Sequence, residues 1–206
     1  MNKLLIVGTV AFDAIETPFG KTDKILGGAG TYIGLSASHF NLQSAIVSVV
    51  GDDFPQAYMD TLTSKGVNLD GLQIKAGEKS FFWAGKYHNN MNSRDTLVTD
   101  LNVLADFKPE IPASYQDCEY LMLGNLTPQV QIEAIQGLKN RPKLIVMDTM
   151  NFWMNVAMED LKRVLKMVDV LCINDEEARQ LSEQYSLRTA AKLIMAMGPK
   201  TLIIKK

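Results

Sequence analysis

The sequence alternates between short apolar runs and longer amphipathic segments, and this alternation constrains the fold more than any other feature. Several of the apolar runs have the length of a β-strand. They lie at Lys3–Gly8, Ala45–Gly51, Glu119–Gly124, Lys143–Asp148, Asp169–Ile173 and Thr201–Ile204. Strands that are apolar on both faces and are joined through helices form parallel sheets with helices on both sides. The chain is therefore predicted to be an α/β protein built on a parallel sheet.

The amphipathic segments between these strands have the length of helices. Their predicted bounds are Gly30–Phe40, Pro55–Lys65, Pro128–Leu138, Glu159–Lys166, Glu176–Tyr185 and Leu187–Met197. Pro55 and Pro128 stand where a proline is tolerated in the first turn of a helix. With 206 residues the chain is long enough for one substantial core and too short for two full domains. Residues 1–206 are therefore predicted to form a single domain.

Two segments, residues 14–26 and 71–99, interrupt the alternation. Both are rich in strand-forming residues and polar turns, and neither leaves room for crossover helices. Their strands are therefore predicted to pair antiparallel in a small separate sheet. Phe81, Trp83 and Tyr87 fall on one face of this sheet, which predicts a strongly aromatic surface. Such a surface is suited either to packing against the body of the protein or to contact with a second copy.

The charge balance and the cysteines limit the classes of partner. The formal net charge is −2 and no predicted helix carries a stripe of Lys and Arg, so nucleic acid is not an expected partner. No apolar run reaches the length of a membrane span, so no membrane association is expected. Cys118 and Cys172 stand in apolar, strand-like surroundings, which favours a reducing compartment over a disulfide framework. A cytoplasmic location is predicted.

Three glycines, Gly27, Gly28 and Gly30, precede the first predicted helix. Glycines at this place let the backbone approach a ligand, and the first N–H groups of the helix suit hydroxyl groups or an anion. The alternative is a tight turn that only lets the helix pack against the sheet. Asp13 is predicted to lie just past the first strand, at the carboxyl edge where open α/β sheets bind ligands. Its carboxylate can accept hydrogen bonds from two hydroxyl groups.

Polar residues also follow three later strands. Asn125 follows one strand, Asp148 ends the next, and Asn174 and Glu177 come after a third. The Asn-x-x-Glu spacing is that of a capping box, a structural role that does not exclude a second role at a ligand site. Asp148 fits either a ligand site or the cap of the following turn. The phosphate-binding sequences of P-loop and dinucleotide-binding proteins do not occur in the chain.

Four of these elements, taken in order, resemble the signatures of the PfkB family of carbohydrate kinases, which have the ribokinase-like fold. The elements are Gly8 to Asp13, Gly27-Gly28 followed by Gly51-Asp52-Asp53, Asp148 to Asn151, and Asn174 to Glu177. Because the matches are spread over the whole chain, together they are more specific than any single motif.

The resemblance implies an enzyme that transfers a phosphoryl group from ATP to a hydroxymethyl group of a small sugar or nucleoside. With Asn125 added for its position, the implied acceptor-binding residues are Asp13, Gly27, Gly28, Gly30 and Asn125. The implied phosphate- and magnesium-organising residues are Asn174, Glu177 and Asp148, none of them a direct metal ligand. ATP and Mg²⁺ are the implied cofactors, with a monovalent cation as a further candidate. The small sheet is implied to form a lid over the acceptor and to mediate a homodimer.

The chain departs from the family pattern in three places. Ala29 and Tyr32 stand where many ribose-specific members carry Lys and Asn, so a ribose-like acceptor is not implied. Tyr32 suits stacking on a base or a sugar face, or packing in the core. One residue more than usual separates Asp148 from Asn151. The family's second signature, a Gly-Ala-Gly-Asp element with the catalytic base and the anion hole, does not occur in the 206 residues.

The third departure shapes the functional expectation. The chain resembles the N-terminal two-thirds of such a kinase, with the catalytic base expected beyond Lys206. These 206 residues alone are expected to transfer no phosphate at a useful rate. The alternative hypothesis is a non-catalytic sugar-binding or dimerisation module that keeps the acceptor site and the lid.

Overall fold

The computed structural model describes residues 2–91 and 93–206, and it contains two β-sheets with helices packed against the larger one. The strands are β1 (Asn2–Val7), β2 (Ala11–Thr17), β3 (Gly20–Lys21), β4 (Ile25–Gly27), β5 (Leu42–Gly51), β6 (Asn68–Lys75), β7 (Phe82–Tyr87), β8 (Arg94–Asp100), β9 (Tyr120–Leu123), β10 (Leu144–Asp148), β11 (Val170–Asn174) and β12 (Thr201–Lys205). The helices are α1 (Ala29–Ala37), α2 (Gln56–Ser64), α3 (Pro128–Gln136), α4 (Asn151–Val156), α5 (Met158–Leu165), α6 (Asp175–Ser182) and α7 (Leu187–Ala196). Short 3₁₀ turns lie at Asn102–Leu104 and Ala113–Tyr115.

The larger sheet has seven strands in the order β12-β11-β10-β9-β1-β5-β6. Every neighbouring pair in it is parallel. The predicted α/β fold with a parallel sheet is therefore confirmed, and the six predicted strands and six predicted helices all occur with bounds shifted by a few residues. The short helix α4, Asn151–Val156, was not among the predicted helices.

Apolar side chains cover both faces of the larger sheet. Leu5 and Val7 of β1 lie in the larger of two buried clusters, whereas Ile6 between them lies in a second cluster that also contains Leu62 of α2. Successive side chains of a strand point to opposite faces, so a run such as that of β1 must be apolar throughout when both faces are covered. The continuous apolar runs of the sequence follow from this arrangement.

The smaller sheet, called here the lid sheet, consists of β2, β3, β4, β7 and β8. β3 and β4 pair antiparallel with β2, and β8 pairs antiparallel with β7, but β2 and β7 are parallel. The prediction of a purely antiparallel lid is therefore wrong. β2 and β7 come from different parts of the chain, and the intervening α1-β5-α2-β6 segment supplies the crossover that parallel strands require.

Residues 71–75 do not belong to the lid sheet, contrary to the prediction that the lid begins at residue 71. They form the end of β6, which pairs in parallel with β5 as the edge strand of the larger sheet. The physical reason is that β5, α2 and β6 form a βαβ unit, which returns the chain to the same sheet after the helix. The prediction included α2 but assigned the strand that follows it, residues 73–75, to the lid.

Ser80 anchors the lid sheet to the larger sheet where the chain passes between them. Its Oγ accepts a hydrogen bond from Gly51 N at 3.0 Å and donates to Asp53 Oδ1 at 2.6 Å. Its carbonyl accepts from Asn102 Nδ2 at 2.9 Å, just where the chain leaves β8. The Gly51-Asp52-Asp53 motif therefore has a structural role here, which is to hold the base of the lid sheet.

None of the helices in the described parts of the chain is long and apolar enough to cross a membrane.

Candidate functional site

A cleft of about 1110 Å³ lies between the lid sheet and the carboxyl edge of the larger sheet. The carboxyl ends of the parallel strands contribute Thr9, Asn125, Asp148, Asn174 and Lys205 to its lining. This is the edge at which open α/β sheets bind ligands. The lid sheet contributes Asp13, Trp83, Tyr87, Arg94, Thr96 and Thr99, and helix α1 contributes Ala29 and Tyr32. The strand ends, the lid sheet and one helix thus surround a single cleft.

Asp13 lies in the lid strand β2 and not directly after β1 as predicted. It nevertheless faces the cleft, because β2 crosses over the carboxyl edge of the larger sheet. Its Oδ2 accepts a hydrogen bond from Gly28 N at 3.4 Å. Burial raises the pKa of the Asp13 carboxyl, and the hydrogen bond from Gly28 partly offsets that rise. Asp13 is therefore a partly desolvated carboxylate with acceptor capacity left for a ligand.

The glycines before α1 mainly permit close packing within the protein. A Cβ on Gly27 would overlap the Asp13 side chain, and a Cβ on Gly28 would overlap the carbonyl of Thr9. A Cβ on Gly30 would lie 2.9 Å from the carbonyl oxygen of Gly8. Gly28 also has a φ of 93°, a conformation that favours glycine. Of the three predicted glycines, only Gly28 lines the cleft.

The first N–H groups of α1 are already bonded within the protein. Ala29 N donates to Thr9 Oγ1 at 2.8 Å, and Gly30 N donates to the Thr9 carbonyl at 2.8 Å. Gly28 N is directed at Asp13. The N–H groups of residues 28–30 are thus engaged within the protein, as the tight-turn alternative describes, and a role of Gly27, Gly28 and Gly30 in binding an acceptor stays a prediction.

Asn125 follows β9 and is held by two residues from the region of α4. Trp153 Nε1 donates to Asn125 Oδ1 at 2.8 Å, and Asn125 Nδ2 donates to Met150 Sδ at 2.9 Å. The preceding residue, Gly124, packs closely on Ala29, since a Cβ on it would lie 3.0 Å from the Ala29 Cβ. Asn125 therefore lies next to the start of α1 on the cleft wall.

Three aromatic side chains line the cleft near Asp13. Tyr32 is 49% exposed, and burial, followed by the charge of Asp13, raises the pKa of its hydroxyl. Trp83 and Tyr87 come from β7, where the indole of Trp83 lies across Gly85, whose missing side chain leaves room for it. The predicted aromatic face is thus directed into the cleft, and Tyr32 is not a core residue.

Asn174 and Glu177 form the capping box of α6. Asn174 N donates to Glu177 Oε2 and Glu177 N donates to Asn174 Oδ1, both at 2.8 Å. Asn174 lines the cleft, whereas Glu177 lies beneath it and is only 3% exposed. Burial raises the pKa of the Glu177 carboxyl, and the hydrogen bond from Asn174 acts against that rise. In this geometry Glu177 contributes to the cleft by fixing Asn174.

Cationic side chains surround Asp148 at the same end of the cleft. Lys205 Nζ lies 3.7 Å from Asp148 Oδ1, and Lys206 also lines the cleft. Burial raises the pKa of the Asp148 carboxyl, whereas Lys205 and the lid residue Arg94 lower it. Arg94 also packs over the ring of Trp83, with 5.8 Å between the guanidinium carbon and the ring centroid. This end of the cleft therefore combines the carboxylates of Asp148, Asp175 and Glu176 with several cations.

Arg94, Lys205 and Trp153 are among the residues of this cleft that were not predicted as site residues. Arg94 and Lys205 stand at strand ends. Because strand ends are usually exposed and often charged, a charged residue there does not by itself indicate a ligand site. Trp153 belongs to the short helix that was not predicted. No group of three or more His, Cys, Asp and Glu side chains that could hold a metal ion occurs in residues 2–91 and 93–206.

The fold and the cleft define a ribokinase-like α/β protein with a ligand cleft beneath a lid sheet. The family model of the pfkB family carbohydrate kinases matches residues 1–206. The chain therefore belongs to this family.

Named relatives agree with this assignment. The chain is 24% identical over 208 residues to a cytidine kinase of Thermococcus kodakarensis, covering 100% of this chain and 73% of that protein. It is 22% identical over 219 residues to a nucleoside kinase of Methanothermobacter thermautotrophicus, covering 97% of this chain and 68% of that protein. A crystal structure of an E. coli protein described as ribokinase II, in complex with ATP and Mg²⁺, superposes with a TM-score of 0.74 at 17% identity. That match covers 100% of this chain and 72% of the other, and it shows the shared fold.

Proposed function

We propose that this chain forms the acceptor-binding part of a kinase that transfers the terminal phosphoryl group of ATP to a hydroxymethyl group of a small molecule, preferably a nucleoside. The observation that carries the proposal is one cleft with two chemically different ends. Asp13 and the aromatic side chains lie in one part of the cleft, Lys205 and Asn174 lie in the other, and Arg94 stands between them, over the ring of Trp83 and near Asp148. Such an arrangement suits a polyhydroxy acceptor on one side and an anionic phosphate donor on the other.

The acceptor end is suited to ribose hydroxyl groups. The Asp13 carboxylate accepts hydrogen bonds, and charge-assisted hydrogen bonds of this kind are stronger than neutral ones. The Asn125 amide supplies donors on the same wall of the cleft. A substrate with several hydroxyl groups therefore meets a hydrogen-bond acceptor in Asp13 and hydrogen-bond donors in Asn125.

The aromatic lining favours a nucleoside over a free sugar. Tyr32, Trp83 and Tyr87 present rings to the cleft near Asp13, and a planar base buries more area against such rings than a sugar alone does. Ala29 and Tyr32 also replace the polar residues that ribose-specific members carry. The cytidine- and nucleoside-kinase names of the two relatives point the same way. A small sugar is the second candidate, since sugar rings also stack on aromatic faces.

The other end of the cleft suits the phosphates of ATP. Arg94, Lys205 and Lys206 offer positive charge there, and Asn174 is fixed by Glu177. When bound, MgATP supplies the phosphoryl group and the metal ion neutralises part of the phosphate charge. Asp148 and Asn174 would act on the water shell of the metal ion, since Mg²⁺ keeps much of its hydration in such sites. No residue is assigned to a monovalent cation.

Phosphoryl transfer also requires a group that takes the proton of the acceptor hydroxyl. None of the residues that line the cleft is assigned to this role, and the Gly-Ala-Gly-Asp element that would carry it is not among the 206 residues. We therefore expect the 206-residue chain to bind an acceptor without transferring phosphate at a useful rate. A non-catalytic binding module would use the same acceptor residues and would show no response to ATP.

The experiment is a thermal-shift and calorimetric screen of nucleosides and sugars against the 206-residue chain, with Asp13→Asn as the matched control. A ligand that binds only the folded state raises the melting temperature by mass action. We expect a nucleoside to stabilise the wild-type chain and to lose most of this effect with Asp13→Asn. Stabilisation by sugars alone would overturn the nucleoside preference. If no nucleoside or sugar binds, the kinase proposal itself fails, and robust acceptor-dependent ADP formation would overturn the expected inactivity.

We also propose a homodimer formed through the lid sheet. All seven residues of β8 are exposed, and in the described part of the chain this strand pairs only with β7. An unpaired strand edge of this kind can pair with another chain. A cytoplasmic location stays a prediction from the cysteine content.

A further inference from the structure

We propose that Trp153 is a positioning residue that locks the amide of Asn125, so that Asn125 offers only hydrogen-bond donors to the acceptor. The proposal rests on the proposed function in one respect, which is that an acceptor binds in this cleft. It adds a specificity rule for that acceptor: the group that meets Asn125 is an oxygen that accepts a hydrogen bond, either a hydroxyl or a carbonyl.

The indole of Trp153 determines which way the Asn125 amide faces. An indole N–H can only donate, so the atom that lies 2.8 Å from it must be the amide oxygen. The amide nitrogen then faces the opposite direction, toward Met150. A free asparagine can rotate its amide and present either atom, but this one cannot do so without breaking the bond to Trp153.

The partner of the amide nitrogen is weak. Asn125 Nδ2 donates to the thioether of Met150, and a thioether sulphur is a poor acceptor in comparison with an oxygen. A substrate oxygen that replaced the sulphur would therefore form a stronger hydrogen bond with the same donor. Both Asn125 and Met150 line the cleft, so a bound molecule can reach this position.

Trp153 itself is well placed to hold the amide. Its side chain is only 7% exposed, and its ring packs edge-on against Phe152, with 4.8 Å between the ring centroids. It lies in α4, which is linked to α6 by a hydrogen bond from Gln180 Nε2 to Asn155 Oδ1. The indole is thus fixed from its own helix, while Asn125 comes from the loop after β9.

The acceptor end of the cleft would then have a fixed polarity. Asp13 accepts hydrogen bonds and Asn125 donates them. A ligand that carries hydroxyl groups toward Asp13 and an accepting oxygen toward Asn125 satisfies both. A ligand that carries an amino group toward Asn125 would be rejected, because its N–H groups and those of Asn125 are both hydrogen-bond donors and cannot bond to each other.

The test is a double-mutant cycle on acceptor affinity, with the nucleoside that binds the wild-type chain most tightly as the probe. Trp153→Phe keeps an aromatic ring and removes the N–H, and Asn125→Ala removes the amide. We expect each single change to weaken binding by about five- to tenfold, the size typical of one lost hydrogen bond. In the Asn125→Ala background, Trp153→Phe should cause no further loss, because its effect passes through the amide.

Two further variants separate positioning from folding. Asn125→Asp leaves the indole with its partner but replaces the donor by an oxygen, so it should weaken binding at least as much as Asn125→Ala. Gln129→Ala removes a side-chain hydrogen bond that also measures 2.8 Å, from Gln129 Nε2 to Glu133 Oε1 on the exposed face of α3, without touching Asn125 or α4, and should leave affinity unchanged. Melting temperatures of all variants identify any loss that comes from unfolding.

The outcomes distinguish this proposal from the proposed function. If the wild-type chain binds a nucleoside but the losses from Trp153→Phe and Asn125→Ala are additive, or Asn125→Asp binds as well as wild type, the positioning role is overturned and the proposed function stands. If the wild-type chain binds no acceptor, the proposed function fails and the specificity rule fails with it.

Discussion

Asp13 is a carboxylate that the fold partly removes from water without an ion pair in the described part of the chain. Burial raises its pKa above the ordinary 3.8, so its ionised form is destabilised in the folded state. A group of this kind contributes more to binding than to stability. The same partial desolvation that costs stability leaves the carboxylate available to a hydroxylated ligand.

This leads to a prediction about pH. Because the folded-state pKa of Asp13 is raised, the native state binds more protons than the unfolded state, and the penalty develops as pH rises from about 3.8 through the raised value. Asp13→Asn removes the penalty, so at pH 7 it should melt at a higher temperature than wild type while binding the acceptor more weakly. Below the ordinary pKa the two melting temperatures should converge. Thermal melts and calorimetric titrations between about pH 3 and pH 8 provide the measurement.

A wild-type chain that melts above Asp13→Asn at pH 7 would contradict this interpretation. So would a wild-type acceptor affinity that stays constant as the solution is acidified through the raised pKa.

Gly28 carries a second prediction at this scale. It combines a φ of 93° with a backbone contact to Thr9 that leaves no space for a Cβ. Gly28→Ala should therefore lower the free energy of unfolding by about 2 to 5 kcal/mol, from backbone strain and overlap together. Gly77→Ala is the matched control, since Gly77 has a φ of 77° and no atom within 4 Å of a Cβ. It should cost only about 1 to 2 kcal/mol, the strain alone.

Denaturant unfolding of the two variants gives this comparison. Equal losses would mean that the contact between Gly28 and Thr9 relaxes without cost.

At the scale of secondary-structure elements, the N-terminus of α6 combines a capping function with a place at the cleft. Asn174 and Glu177 exchange two hydrogen bonds, and only Asn174 reaches the cleft lining. The sequence left open whether this motif caps a helix or organises phosphates. The geometry supports the cap directly, and any role of Glu177 at the phosphates must pass through Asn174.

The cap leads to a prediction that separates charge from hydrogen bonding. Glu177→Gln keeps an oxygen that can accept from Asn174 N and removes a buried charge whose pKa is raised. It should therefore equal or exceed wild type in melting temperature at pH 7, with the difference vanishing below about pH 4.5, where the wild-type carboxyl is protonated in both states. Glu177→Ala should lose about 1 kcal/mol through the broken cap. Thermal melts of the variants at both pH values provide the measurement. If Glu177→Gln were less stable than Glu177→Ala, capping would not be the main role of Glu177.

The lid sheet depends on another buried polar element. Ser80 joins Gly51, Asp53 and Asn102 at the base of the lid sheet and is 1% exposed. Ser80→Ala leaves the buried N–H of Gly51 without its hydrogen-bond partner and should cost about 1 to 3 kcal/mol. It should also speed hydrogen exchange in β7 and β8, because their connection to the larger sheet is loosened.

Ser64→Ala is the control for this change. Ser64 lies at the exposed end of α2 and its hydroxyl donates to the Thr61 carbonyl of the same helix, so stability should change by less than about 0.5 kcal/mol. Unchanged exchange in β7 and β8 after Ser80→Ala would show that the base of the lid sheet does not depend on this side chain.

At the scale of the whole molecule, the proposed homodimer depends on the exposed edge of β8. Leu97 and Val98 on this strand are 56% and 38% exposed. Leu97→Asp should shift the protein from dimer to monomer in size-exclusion chromatography with light scattering, because a charge on the edge disfavours strand pairing. Leu193→Asp, the same change on the exposed face of α7, should leave the dimer intact. A wild-type chain that stays monomeric at all accessible concentrations would overturn the dimer.

What the sequence by itself determined is local or periodic. The order of strands and helices and the capping-box spacing could be predicted, because each depends on residues close together in the chain, whereas the glycines before α1 left a tight turn and a ligand site open. The motifs that resemble the PfkB family were enough to predict the fold class and the kinase family.

Only the tertiary structure decided how distant segments meet. It paired β2 with β7 in parallel, assigned residues 71–75 to the larger sheet, and directed the rings of Trp83 and Tyr87 into the cleft. It also brought Trp153 to Asn125, across a separation of 28 residues. Neither side chain has a pattern that predicts the other, since strand pairing and side-chain hydrogen bonds between remote segments depend on how the whole core packs and not on local propensity.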